Sequence, residues 1–293
     1  MSISPSRFKL KQLAQFVDQV CASERCVQAV IATGSVAAER ARPDSDIDAI
    51  VFMDPVDLYA VPAEAVWFPA SGSFHGIFSS ESNDPEAVQF DFKRLDLRQW
   101  QEPTFEWPEP RSSELASGRI VFDRRGVVDG LIRERTYYTD DAQLKRLDEA
   151  VTWLDQLLAE DKCAETWKQL GSAVAFDRLH SAYDWLTQAL FALNRRWRPW
   201  RNREMNTLLE LPWLPGGFQA HVLVAMAGAG HDQAGYQARV KALEALFTAV
   251  LARSLELGIY RKDPIGEAFV RSHDEPGRDW NMAEWVERRA LRQ

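Results

Sequence analysis

Two aspartates stand two residues apart shortly after a glycine–serine pair, and residues of these types could do chemistry together. Asp46 and Asp48 flank Ile47, so in a strand both carboxylates would project from one face while Ile47 packs behind them. Neighbouring carboxylates repel each other unless a cation lies between them, and carboxylate oxygens suit Mg²⁺. Gly34-Ser35 permits a tight turn whose backbone N–H groups can face an anion such as phosphate. The spacing predicts a divalent-cation site beside a phosphate site.

The elements that position these residues follow from the local pattern. Residues 27–33 are apolar and partly β-branched, which predicts a buried strand, and residues 47–53 predict a second strand. Residues 35–41, between them, predict a short helix whose N-terminus points at the phosphates. Ser6 is a candidate N-cap for an earlier helix that covers the first strand. The apolar stripe of that helix comprises Leu10, Leu13, Phe16, Val17 and Val20.

A third carboxylate lies in an apolar setting further along the chain. Asp91 stands between two phenylalanines in a strand predicted over residues 87–92. Residues 76–79 predict the strand before it, joined by a polar turn over residues 81–85. This hairpin would bring Asp91 beside the first two aspartates. Residues 65–68 predict either a further strand or an apolar loop.

A strand, Gly34-Ser35, Asp46-Ile47-Asp48 and Asp91 in this order resemble the signature of the nucleotidyltransferase superfamily of the DNA polymerase β type. The resemblance implies that Asp46, Asp48 and Asp91 bind two Mg²⁺ ions and perform the catalysis. It also implies that the Gly34-Ser35 turn holds the β- and γ-phosphates of a nucleoside triphosphate. An acceptor hydroxyl would then attack the α-phosphate in line, and pyrophosphate would leave. Whether Asp91 is a general base or only a metal ligand stays open.

The identity of the acceptor separates three hypotheses. A catalytic domain followed by helices resembles the aminoglycoside and lincosamide nucleotidyltransferases, which implies transfer of AMP from ATP to a hydroxyl of a small, antibiotic-like molecule. An acidic cleft would attract such a polycation. The alternatives are toxin-like transfer to RNA or protein, and a nucleotide-binding protein without turnover. The presence of all three carboxylates weighs against the last hypothesis.

From about residue 127 onward the sequence changes from strand-like alternation to helical periodicity. Three apolar stripes follow, and helices of this length need one another to bury them. We therefore predict an α+β fold, with a nucleotidyltransferase-type mixed sheet and flanking helices over residues 1–135. A C-terminal α-helical bundle that binds substrate or nucleotide is predicted over residues 136–293. The stripes are Leu144, Leu147, Val151, Leu154 and Leu158, then Phe176, Leu179, Tyr183, Leu186, Leu190 and Leu193, then Val240, Leu243, Leu246, Phe247, Val250, Leu251 and Leu255.

A basic and aromatic segment separates the second and third stripes. Five arginines fall within the nine residues 195–203 of an otherwise acidic chain, interleaved with Trp197 and Trp200. Arginine binds phosphate through two hydrogen bonds and tryptophan can stack on a base, so the segment is a candidate nucleotide contact. It resembles a stretch in the helical domains of some small-molecule nucleotidyltransferases, which implies that Arg201 or Arg203 stands where that stretch has a phosphate-binding lysine. The alternative is a helix end at which cations face the last carbonyl groups.

The remaining composition describes an acidic globular chain. Its net charge of −8 over 293 residues argues against a standing duplex nucleic-acid partner, because neutralising phosphates needs a basic surface. No apolar run is long enough to span a bilayer, and the N-terminus lacks the apolar centre of a secretion signal. Three scattered cysteines predict reduced thiols. We expect a cytoplasmic protein without a membrane partner; the sequence leaves the oligomeric state open.

Overall fold

A computed structural model describes residues 4–76, 87–228, 230–273 and 282–291, and the backbone alone over 282–285. The chain divides into two compact units, Met1–Tyr137 and Tyr138–Gln293. Across the described residues, no helix has both the length and the apolar character that crossing a membrane requires. The roles predicted for the two domains stay predictions.

The first unit is built on a mixed sheet, as predicted. The described residues contribute six strands in the order β4-β3-β5-β2-β1-β6. β2 runs antiparallel to β1 and parallel to β5, so the sheet changes direction at its centre. The strands are β1 Val27–Ala32, β2 Ile47–Met53, β3 Glu64–Phe68, β4 Ser73–His75, β5 Val88–Asp96 and β6 Arg119–Asp123.

Helices cover both faces of this sheet. α1, followed by a π-helical turn over Val17–Cys21, packs on one face through Leu13 and Phe16, which are fully buried. α3, α4 and α5 pack on the other face around Ile50 and Phe52 of β2. The helices are α1 Pro5–Phe16, α2 Gly34–Ala37, α3 Leu97–Gln101, α4 Glu109–Ala116 and α5 Val128–Arg135.

Two local expectations need correction. α1 is capped by Ser4, whose hydroxyl accepts the Arg7 N–H at 3.4 Å, whereas Ser6 is buried and accepts the N–H of Ala41 at 3.0 Å. The helix predicted over residues 35–41 ends at Ala37, because the chain turns into the left-handed region at Glu39 (φ 58°). The turn predicted at 81–85 and most of the strand at 76–79 lie outside the described residues.

The second unit is helical, as predicted, and its three longest helices coincide with the three apolar stripes. Leu147, Leu186 and Leu243, one from each of these helices, are fully buried in one shared core. The described helices are α6 Asp140–Leu158, α7 Glu160–Glu165, α8 Ser172–Leu193, α9 Arg201–Leu209, α10 Phe218–Ala227, α11 Gln233–Glu256, α12 Pro264–Ser272 and α13 Met282–Ala290.

Candidate active site

Gly34 and Asp48 meet where β1 ends and β2 begins. The backbone N–H of Thr33 donates to the Asp48 carbonyl at 2.9 Å, which draws the turn after β1 against β2. Gly34 has a φ of 61°, and a β-carbon added to it would lie 2.1 Å from Oδ2 of Asp48. Both the backbone conformation and the close approach therefore require glycine. The turn leaves the Asp48 carboxylate directly beside the Gly34 backbone.

Asp91 is the neighbour of Asp48 across two parallel strands. The pairing of β2 with β5 sets Ile47 opposite Phe90 and Asp48 opposite Asp91. Ile47 and Phe90 are fully buried in the core beneath α1, and the Phe90 ring lies 4.7 Å from that of Phe16. Because side chains alternate along a strand, the two aspartates project from the opposite face. The structure thus brings these two predicted residues together.

Asp46 lies exposed in the turn that leads into β2, two residues before Asp48.

A lysine that the sequence reasoning missed lies near this turn: Lys9 of α1 is only 8 % exposed. Burial lowers the pKa of the Lys9 ammonium, while the carboxylates of Asp46 and Asp44 act in the opposite direction. The signal was present in the sequence, because Lys9 falls on the same helical face as Leu13 and Phe16.

A second lysine contacts the third aspartate. Lys93 lies two residues after Asp91 on β5, and its Nζ is 2.7 Å from Oδ2 of Asp91. Both side chains are partly exposed, at 39 % and 35 %. Strand alternation places the two groups on the same face, so the spacing of Asp91 and Lys93 in the sequence already indicates this pairing.

The donor types suit a hard divalent cation, because all three candidates are carboxylates and Gly34 has no β-carbon that would meet the Asp48 carboxylate. Within the described ranges, however, no three His, Cys, Asp or Glu side chains are gathered closely enough to hold a metal ion. Asp91 is instead paired with Lys93. The assignment of Asp46, Asp48 and Asp91 as metal ligands stays a prediction.

Arg201 and Arg203, the two candidate nucleotide-binding residues, lie in the first turn of α9 in the second unit. The three aspartates belong to the first unit. Arg201 forms an ion pair with Glu204, whose side chain is 5 % exposed. Arg203 is exposed. The role of both arginines in binding phosphate stays a prediction.

Two other arginines of the same segment have structural partners. Arg198 bridges Glu204 and Asp184. Burial alone would lower the pKa of Arg198, but the hydrogen bonds that it donates to the two carboxylates raise this pKa above its ordinary value. Arg195 follows the end of α8 and donates to Asp140, to Gln143 and to the Tyr138 carbonyl. These contacts give Arg195 and Arg198 partners within the second unit, and they differ from the helix-end alternative, in which the cations face the last carbonyl groups of α8.

Comparison with known proteins finds one family match, and it covers the same residues. Residues 13–101 match the family model described as a nucleotidyltransferase domain, a span that includes Gly34, Ser35, Asp46, Asp48 and Asp91. No curated protein matches the chain significantly. Among solved structures, a nucleotidyltransferase-like protein from Exiguobacterium sibiricum 255-15 is similar, with 13% identity, a TM-score of 0.45, and coverage of 92% of this chain and 82% of that one. A similarity this low supports no inference about function.

Proposed function

We propose that this chain, a nucleotidyltransferase by virtue of its domain at residues 13–101, transfers AMP from ATP to a hydroxyl of a small, aminoglycoside-like molecule and releases pyrophosphate. One observation supports the site more than any other. The Asp48 carboxylate lies against a glycine that could not carry a β-carbon, with Asp91 beside it in register. Carboxylates next to a bare glycine turn are the groups that nucleotidyl transfer needs.

In this proposal the side chains bind and orient, and they do little covalent chemistry. The Gly34-Ser35 turn holds the β- and γ-phosphates through backbone N–H groups and the serine hydroxyl. Asp46, Asp48 and Asp91 hold divalent cations, for which we propose two Mg²⁺ ions. When bound, Mg²⁺ neutralises phosphate charge and lowers the pKa of the acceptor hydroxyl. Asp91 also remains a candidate to accept the proton of that hydroxyl.

Charge supports a small cationic acceptor over a nucleic acid. The chain carries a net charge of −8, which favours a polyamine-like molecule. Two of the arginines that would contact RNA are held by carboxylates of their own unit, Arg195 by Asp140 and Arg198 by Glu204. Transfer to RNA or protein is therefore the less favoured alternative. A resistance-like role and a cytoplasmic location are further parts of the proposal.

The test offers each of four α-phosphate-labelled nucleoside triphosphates with Mg²⁺ to an aminoglycoside panel, to tRNA and to a protein mixture. We expect label from ATP to appear on a small cationic acceptor and to need the metal. Label on tRNA or on protein would replace the proposed acceptor with a macromolecule. Binding of ATP with label on no acceptor would support a nucleotide-binding protein without turnover.

A further inference from the structure

Lys93 places a positive charge on the oxygen that the proposed function reserves for a metal ion. Its Nζ lies 2.7 Å from Oδ2 of Asp91, and Asp48 is the neighbour of Asp91 across the sheet. The ammonium therefore lies on the face from which both carboxylates project. Arg94, the next cation along β5, is directed elsewhere, because it donates to the carbonyl groups of Leu58 and Val61.

This ion pair contributes little to the stability of the fold. Both side chains are more than a third exposed, and solvent screens ion pairs of this kind strongly. The pair matters more for the site itself. A divalent cation and an ammonium cannot both lie within bonding distance of one carboxylate oxygen without strong mutual repulsion. Lys93 and a metal ion must therefore compete for Asp91.

We propose that Lys93 is a resident counter-ion that a metal–nucleotide complex displaces. Without nucleotide, the ammonium occupies Asp91 and weakens its hold on a free metal ion. When the nucleotide arrives with its cation, Asp91 turns to the cation and Lys93 pairs with a phosphate oxygen. Lysine suits this exchange, because its charge is compact and its stem is flexible. The inference rests on the proposed function, since it assigns Lys93 to the same site.

The first test measures Mn²⁺ binding to the nucleotide-free protein by calorimetry. Lys93→Met should bind Mn²⁺ at least about threefold more tightly than the wild type, because a repelling charge is lost. A matched control is Lys162→Met: Lys162 is an exposed lysine of the second unit that also pairs with acids, Asp161 and Glu165, each at 3.7 Å. This control should leave Mn²⁺ affinity unchanged. Adding Asp91→Asn to Lys93→Met should abolish the gain, which would locate the ion.

The second test measures binding of a non-hydrolysable ATP analogue with Mg²⁺ present. Lys93→Met should weaken it several-fold, and Lys93→Arg should recover part of the loss, because guanidinium also binds phosphate. Unchanged Mn²⁺ affinity in Lys93→Met, or unchanged affinity for the analogue, would overturn the inference. Neither measurement needs turnover. A chain that passes both tests but transfers no nucleotide would contradict the proposed function and leave the lysine exchange standing.

Discussion

The carboxylate of Asp48 lies so close to Gly34 that a β-carbon on residue 34 would stand 2.1 Å from its Oδ2 atom. Gly34 also has a φ of 61°, a conformation that other residues seldom adopt. Two independent constraints thus meet at one residue. They can be separated experimentally, because other glycines of the first unit share the dihedral angle but not the close contact.

Gly34→Ala should lower nucleotidyl transfer by about 100-fold or more, because the methyl group must push the Asp48 carboxylate out of place. The matched control is Gly126→Ala, since Gly126 has a φ of 69° and no atom within 4 Å of its would-be β-carbon. That control should lose about 1 kcal/mol of unfolding free energy through backbone strain and keep its activity. Equal activity in the two variants would show that the contact is irrelevant. Urea denaturation and initial rates provide both readouts.

Asp46→Asn should abolish transfer while the unfolding midpoint stays within experimental error. Asp46 is exposed and its loss removes no core contact, whereas an amide binds a divalent cation far more weakly than a carboxylate. Asp44→Asn is the control from the same turn, because Asp44 is equally exposed and pairs with Arg42 at 3.3 Å. Rates measured across an Mg²⁺ titration should fall for the first variant alone. Full activity of Asp46→Asn would remove this residue from the site.

Arg201→Met and Arg203→Met should each raise the KM for the nucleotide, by about tenfold, and leave kcat nearly unchanged, as expected for lost uniform binding. The fold should tolerate both changes. Arg201 is an exposed helix residue, and Glu204 retains Arg198 as a partner when Arg201 is removed. Arg196→Met, at another exposed position of the segment, should leave KM unaltered. An unaltered KM in all three variants would confine the segment to a structural role.

The free energy of unfolding should fall between about pH 9 and pH 12, and one buried thiol should contribute to this fall. Burial raises the pKa of Cys21 from 9.0 to about 12, so the folded state retains a proton that the unfolded state releases. A group with a raised pKa stabilises the fold fully below its unfolded pKa and loses that contribution as pH rises towards its folded pKa. Cys21→Val should make the decline shallower, as measured by urea midpoints at pH 8 and pH 10.5. An identical slope in the two proteins would contradict the assignment.

Local patterns predicted which residues of each strand face away from the core beneath α1, because spacing along one chain segment determines it. Asp48 and Asp91 each alternate with buried apolar neighbours, Ile47 in one strand and Phe90 and Phe92 in the other. Asp46 lies in the turn before β2, so alternation along the strand does not fix its direction. Which strand pairs with β5 depends on residues that are distant from it in the sequence. Its parallel register with β2, which sets Asp48 opposite Asp91, appears only in the structure.

The corrections share a physical cause, since each depends on a contact distant in sequence. Serine is a suitable residue for a helix N-cap, but the Ser6 hydroxyl accepts the backbone N–H of Ala41 instead. Ser4 is the N-cap of α1. The helix after Gly34 is short because the chain turns at Glu39, whose carboxylate pairs with Arg119 of β6. No pattern within residues 35–41 indicates that Ala41 will bond to Ser6 or that Glu39 will pair with Arg119.

The most direct test of the central claim compares AMP transfer by the wild type and by Asp48→Asn, using α-phosphate-labelled ATP, Mg²⁺ and the best acceptor from the panel. We predict labelled acceptor and free pyrophosphate in equal amounts from the wild type, and neither product from the variant, with both proteins equally folded by circular dichroism. Transfer that persists in Asp48→Asn at the wild-type rate would contradict the claim that this carboxylate, set against Gly34, is the centre of the reaction.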